Sequence, residues 1–107
     1  MSRDHAAEPA GRGQEQERRV RRLARVHGVV QGVGFRWATS ARAEQLRVDG
    51  TVRNLWDGTV EADVEGDTSA VAALIDWLQD GPPSARVDRV EVTEKDPRGR
   101  TDFRITD

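Results

Sequence analysis

Cysteine is absent from the 107 residues, so disulfides, thiolate nucleophiles and Cys-based metal sites are excluded. The fold must hold without covalent staples, which fits a reducing compartment, and we expect the cytoplasm. Tyrosine is absent too, and the other aromatics are two Phe and three Trp. Lys95 is the only lysine, so almost all positive charge is carried by arginine. A bias that broad reflects gene composition, yet at a chosen position the planar fork of Arg matches phosphate as Lys does not. No apolar run approaches ~18 residues, so no transmembrane helix is expected. Residues 1–19 are charged at both ends and have no apolar centre, which excludes a secretory signal.

Against these absences, 36% of residues are hydrophobic and 34% charged, with a net charge of −2. That balance suits one small domain with a modest core and a charged surface. It supplies no global basic field to attract nucleic acid. Residues 1–19 are polar and read as a disordered extension; the ordered domain is expected over 20–107.

Along that domain the hydrophobic period changes from element to element. Ala24 and Val26 alternate with Arg25 and His27, the pattern of a half-buried strand. Gly28 to Gly34 interrupts it. Phe35, Thr39, Ala43 and Leu46 then share one helical face, and Gly50 breaks that pattern. Val52 starts a second strand, and Trp56-Asp57-Gly58 signals a hairpin. Val60, Ala62 and Val64 alternate with Glu61, Asp63 and Glu65, predicting a third strand with one wet face. Asp67 or a neighbouring hydroxyl caps a second helix, whose stripe is Val71, Leu74, Ile75 and Leu78. Gly81-Pro82-Pro83 ends it. Val90 and Val92 mark a fourth strand, Pro97-Arg98-Gly99 a turn, and Phe103 and Ile105 a short last strand. The order β-α-β-β-α-β is the split βαβ pattern. The expected fold is an α+β, ferredoxin-like sandwich, an antiparallel sheet with two helices on one face.

The segment between the first strand and first helix carries the chemistry. Gly28, Gly32 and Gly34 let backbone N–H groups turn into one concavity. The helix N-terminus that follows favours an anion, and Arg36 adds a fixed charge there. The segment is neither a P-loop nor a G-x-G-x-x-G fingerprint. By itself it predicts a phosphate or carboxylate site.

Val26 to Arg36 reads V-H-G-V-V-Q-G-V-G-F-R, which resembles the acylphosphatase signature V-x-G-x-V-Q-G-V-x-F-R at every specified position. Gly50-Thr51-Val52-Arg53-Asn54 through Gly58-Thr59-Val60 is similar to that family's second motif. Trp77-Leu78 and Gly81 to Ala85 resemble its second helix and the end of that helix. The resemblance covers roughly Val20 to Ile105. It implies that backbone N–H groups of Gln31, Gly32, Val33, Gly34, Phe35 and Arg36 cradle a phosphoryl group. It further implies that the Arg36 guanidinium binds that group and that the Asn54 side chain holds the attacking water. The implied reaction converts an acyl phosphate to a carboxylate and inorganic phosphate, without metal or cofactor. An acyl phosphate has a good leaving group, so positioning and charge stabilisation matter more than a strong base. The expected partner is thus a small acyl phosphate, with no nucleic acid and no membrane, and the chain is expected to be a monomer.

Other residues carry weaker signals. His27 reads as an exposed strand histidine rather than a proton shuttle. Trp37 and Trp56 read as partly exposed packing residues, although Trp37 follows Arg36 and could touch an acyl group. Trp77 reads as core or helix-edge packing. Asp57, Glu61, Asp63 and Glu65 could suggest a metal, but a solvated strand face is the simpler reading. Two positions depart from the family pattern: Thr51 stands for an aromatic, with an expected effect on packing near Asn54, and Arg47 for a helix-ending Gly. The alternative function is a non-catalytic binding module of the same fold, as in hydrogenase-maturation carbamoyltransferases, whose remaining machinery is not expected in this chain. A ferredoxin-like RNA binder would need exposed aromatics on its central strands, and none are available.

Overall fold

A computed structural model describes residues 18–107. The extension expected over 1–19 lies outside the described residues as far as residue 17, and Arg19 opens the first strand. The elements run β1 Arg19–Val29, α1 Phe35–Leu46, β2 Asp49–Asn54, β3 Val60–Asp67, α2 Thr68–Leu78, β4 Arg86–Lys95 and β5 Phe103–Thr106. The sheet order is β4-β1-β3-β2-β5. The four-strand split βαβ pattern is as expected, and both helices pack on the sheet. The fully antiparallel sheet is corrected: β5 lies parallel to β2, with Val52 opposite Ile105, so the sheet is mixed. The connection across the outer face returns β5 to the β2 edge in the direction of β2. No helix among the described residues is long and apolar enough to cross a membrane.

Strand alternation decides which side chains enter the core. Ala24 pairs with Ala62 and Val26 with Val60, and all four are fully buried under the helices. Val71, Leu74 and Leu78 of α2 and Phe35, Thr39 and Ala43 of α1 close the core from the other side. Asp67 occupies the N-cap of α2, but its side chain makes no capping hydrogen bond. Thr68 instead ties the helix start to the residue just before β1, its hydroxyl donating to the Arg18 carbonyl at 3.0 Å.

Gly50 does not end α1. The helix stops earlier, where Arg47 itself adopts the left-handed conformation at φ 60°. Val48 N–H then donates to the Ala43 carbonyl at 2.9 Å, closing the helix as a glycine would. Gly50 lies inside β2 for a different reason: a Cβ there would stand 1.8 Å from the Asp63 carbonyl oxygen.

The wet face expected on β3 is also corrected. Asp63 is 6% exposed and Glu65 2%, because the β4–β5 connection lies over them and arginines fill the gap. Arg21 donates to Asp63 through two nitrogens at 2.9 and 2.8 Å, and Arg98 joins at 2.6 Å. Glu65 Oε2 accepts Arg19 Nε at 2.8 Å and the backbone N–H groups of Arg98 and Gly99 at 3.0 and 2.7 Å. Burial pushes both carboxyls up, but for Asp63 the Arg21 and Arg98 guanidiniums outweigh it. For Glu65, Arg19 and the two backbone N–H groups do the same, so both lie below the ordinary carboxylate range. Alternation shows which face a side chain takes; it does not show that a distant loop will cover that face.

Candidate active site

The end of β1, the start of α1 and the end of β2 meet at one edge of the sandwich. Residues 31–34 bend between β1 and α1 without regular structure. Gly32 and Gly34 have φ of 75° and 77°, a region costly to residues with a Cβ. An ideal Cβ at either would meet no atom within 4 Å, so both glycines present bare backbone to the open side. Gly34 is the N-cap of α1, and the first turn contains no acidic residue. The first hydrogen bond of the helix runs from Ala38 N–H to the Gly34 carbonyl at 3.0 Å. The N–H groups of Gln31 to Arg36 find no acceptor among the described residues. The helix dipole and these free donors reinforce one another.

Phe35 anchors the loop from beneath. It is fully buried, and its ring centroid lies 6.0 Å from that of Trp77 on α2. Trp77 is thus a packing residue, as expected. The next side chain along, Arg36, stays half-buried and forms no ion pair or hydrogen bond among the described residues. Asn54 ends β2, on the same strand face as the buried Val52. Its Oδ1 is buried and accepts no hydrogen bond, an unusual state for a buried acceptor.

These groups converge. A cavity of about 160 Å³ is lined by Gly32, Gly34, Phe35, Arg36 and Asn54, five of the residues expected at the site. Val30, Trp37 and Ile105 complete its wall. Gln31 and Val33 do not line it. Gln31 turns its amide away, Nε2 donating to the carbonyls of Leu55 and Thr59, both at 2.8 Å. That fork fastens the loop to the β2–β3 hairpin and so fixes its position relative to Asn54. On the other side, Ser84 Oγ donates to the Val33 carbonyl at 2.7 Å. These two positioning side chains were missed in the sequence. A signal existed for Gln31: a backbone N–H role needs no particular side chain, yet the motif specifies Gln. Nothing local signals Ser84.

The hairpin is itself braced. Asp57 Oδ1 accepts the Thr59 hydroxyl at 2.6 Å and the Thr59 N–H at 3.1 Å, and Arg25 pairs with its other oxygen. The Thr59 hydroxyl, the Thr59 N–H and then Arg25 hold the Asp57 carboxyl at about 2. Glu61 pairs with Arg53 at 2.9 Å. The four acids named as a metal set therefore each face arginine, and Asp57 is not available to neutralise Arg36. Thr51 alternates with Val52 and so lies on the opposite sheet face from Asn54, beside Asp63. The expected effect of Thr51 on packing around Asn54 does not follow from this geometry.

The remaining sequence candidates separate. His27 is half-buried on the outer face, with Nε2 2.7 Å from a Glu91 carboxylate oxygen, and does not line the cavity. Trp56 is 99% exposed and also stands apart from the cavity wall. Trp37 is 73% exposed within that wall, so its expected packing role is overturned.

The acylphosphatase family model matches residues 23–105. An acylphosphatase of Thermococcus kodakarensis is 56% identical over 88 residues, spanning 82% of this chain and 97% of that protein. A solved acylphosphatase structure from Coxiella burnetii is similar with a TM-score of 0.81 at 35% identity, covering 87% of this chain and 98% of the other. The Bacillus subtilis acylphosphatase structure gives a TM-score of 0.79 at 33% identity, over 81% of this chain and 98% of its own.

Proposed function

Since the chain belongs to the acylphosphatase family and hydrolyses acyl phosphates, we propose that the 31–36 loop and Arg36 hold the phosphoryl group and that Asn54 orients the attacking water. The observation that carries this reading is the unpartnered, buried Asn54 Oδ1 in the wall of the cavity that Arg36 also lines. An amide accepts one O–H through its oxygen and donates through its NH₂, so it can fix both the place and the orientation of a water.

In the proposed reaction, phosphoryl oxygens sit on the free N–H groups of residues 31–36, with the Arg36 fork across them. The water held at Asn54 attacks phosphorus, its oxygen forms the new P–O bond, and the bond to the acyl oxygen breaks to release a carboxylate. Among the described residues no carboxylate or histidine lines the cavity, and in this reading the proton of the water leaves on the phosphate product. Arg36 and the backbone donors face the charge that spreads over the phosphoryl oxygens, where preorganised groups have their largest effect. The protein is proposed to act as a monomer, every group named here coming from one chain, and in the cytoplasm, where a chain without cysteine loses nothing.

No observation favours the non-catalytic binding module, and the relatives named acylphosphatase match over almost their whole length. The test is hydrolysis of benzoyl phosphate, with a chelator present and with inorganic phosphate as competitive inhibitor. Asn54→Ala should lower kcat by about 10²-fold and leave the phosphate inhibition constant within about twofold. Near wild-type turnover by purified Asn54→Ala would remove the water-holding role.

A further inference from the structure

Two of the residues completing the cavity wall have no part in the proposed phosphate site. Trp37, in the first turn of α1, is 73% exposed, and Ile105, on β5, is 44% exposed. Both line the same cavity as Arg36 and Asn54. They lie far apart in the chain and line one cavity because β5 pairs with the edge of β2, Ile105 falling opposite Val52. Large apolar side chains left open to water at a reaction site mark a place where a ligand can cover them.

We propose that Trp37 and Ile105 form an acyl subsite, which selects acyl phosphates whose acyl group is flat, apolar and uncharged. The inference rests on the reading that places the phosphoryl group at Arg36. With that group anchored, the acyl substituent extends along the remaining wall of the cavity. An indole face there stacks on a planar acyl group and gains contact beyond simple area burial. The wall also says what is excluded. Among the described residues Arg36 is its only cationic side chain, and Asn54 and the Trp37 indole N–H are its only other polar side-chain groups; Arg36 and Asn54 are assigned to the phosphate and the water. An acyl group bearing a second carboxylate or phosphate meets no partner and must shed water against Trp37 and Ile105, which is unfavourable. Discrimination therefore arises both from contact with apolar acyl groups and from the lack of a second anion site.

The experiment compares benzoyl, acetyl and succinyl phosphate as substrates. Benzylphosphonate and inorganic phosphate serve as calorimetric binding probes that need no turnover. Wild type should prefer benzoyl over acetyl phosphate by about tenfold in kcat/KM, with succinyl phosphate the poorest. Trp37→Ala should remove most of that preference while leaving acetyl phosphate within about twofold. It should raise the Kd of benzylphosphonate and not that of phosphate. Trp56→Ala, in an exposed indole outside the cavity, should change neither. The subsite is overturned if Trp37→Ala lowers benzoyl and acetyl phosphate equally, if it leaves the benzylphosphonate Kd unchanged, or if Trp56→Ala has the same effect. If wild type fails to bind phosphate, the placement at Arg36 fails instead. If phosphate binds at Arg36 and benzylphosphonate binds no more tightly, the subsite alone fails.

Discussion

Arg21 donates to Asp63 through two nitrogens, and Arg19 and Arg98 complete the set around Asp63 and Glu65 on the outer face of the sheet. Arg36, at the first turn of α1, has no acceptor at all among the described residues. The two regions use the same side chain to opposite ends. On the outer face, two buried carboxylates and three guanidiniums saturate one another, and the backbone N–H groups of Arg98 and Gly99 are included. At the loop, the N–H groups of residues 31–36, the Arg36 fork and Asn54 Oδ1 are all left without a partner among the described residues. The outer cluster fastens the β4–β5 connection to the sheet, and so holds the strand that brings Ile105 to the cavity. The inner cluster leaves its donors unpaired, as the proposed phosphate site requires. The electrostatic difference is upheld by what is absent from α1, whose first turn has no acid, and by Asp57, which Thr59 and Arg25 already hold.

That contrast can be broken in order of expected effect. Arg36→Ala removes the free fork and should cost about 10²–10³ in kcat, roughly 3–4 kcal/mol of transition-state stabilisation, with little change in the urea midpoint. Arg36→Lys should recover only part of it, since a point charge does not reproduce the fork. A strong loss of stability in Arg36→Ala would show that the arginine was not free. Glu65→Ala should behave in the opposite way. It leaves the N–H groups of Arg98 and Gly99 without an acceptor and removes the partner of Arg19 Nε, while Asp49 and the Arg100 carbonyl still hold Arg19, so stability should fall by about 1–3 kcal/mol. The kcat of the folded fraction should stay close to wild type, as read by urea denaturation alongside benzoyl phosphate turnover.

The smallest effect is the response of the outer cluster to acid. Asp63 and Glu65 both have folded pKa values below their unfolded ones. Such groups contribute stability above the unfolded value, near ~4, and lose it as pH falls through the folded value. The midpoint of urea unfolding should therefore hold from neutral pH down to about 5 and decline below about 4. Glu65→Ala, lacking one of the two groups, should show a shallower decline. An equal slope in that variant would mean that other carboxylates dominate acid unfolding.

Much of this protein was legible in its residues. The period of Val60, Ala62 and Val64, the stripe of Val71, Leu74 and Leu78, and the Asp-Gly turn fix their elements locally, because burial of one face needs only neighbours in sequence. The run from Val26 to Arg36 predicted an anion site for the same reason, since glycine freedom, a helix N-terminus and an arginine all act within a few residues. Asn54 was placed by resemblance and lies in the same cavity wall. What the sequence did not carry depended on contacts across long separations. The parallel pairing of β5 with β2, the burial of Asp63 and Glu65, the grip of Gln31 and Ser84 on the loop and the meeting of Trp37 with Ile105 each join segments many residues apart. Alternation specifies the face a side chain takes, and only the tertiary structure decides whether water, an arginine or a substrate meets it there.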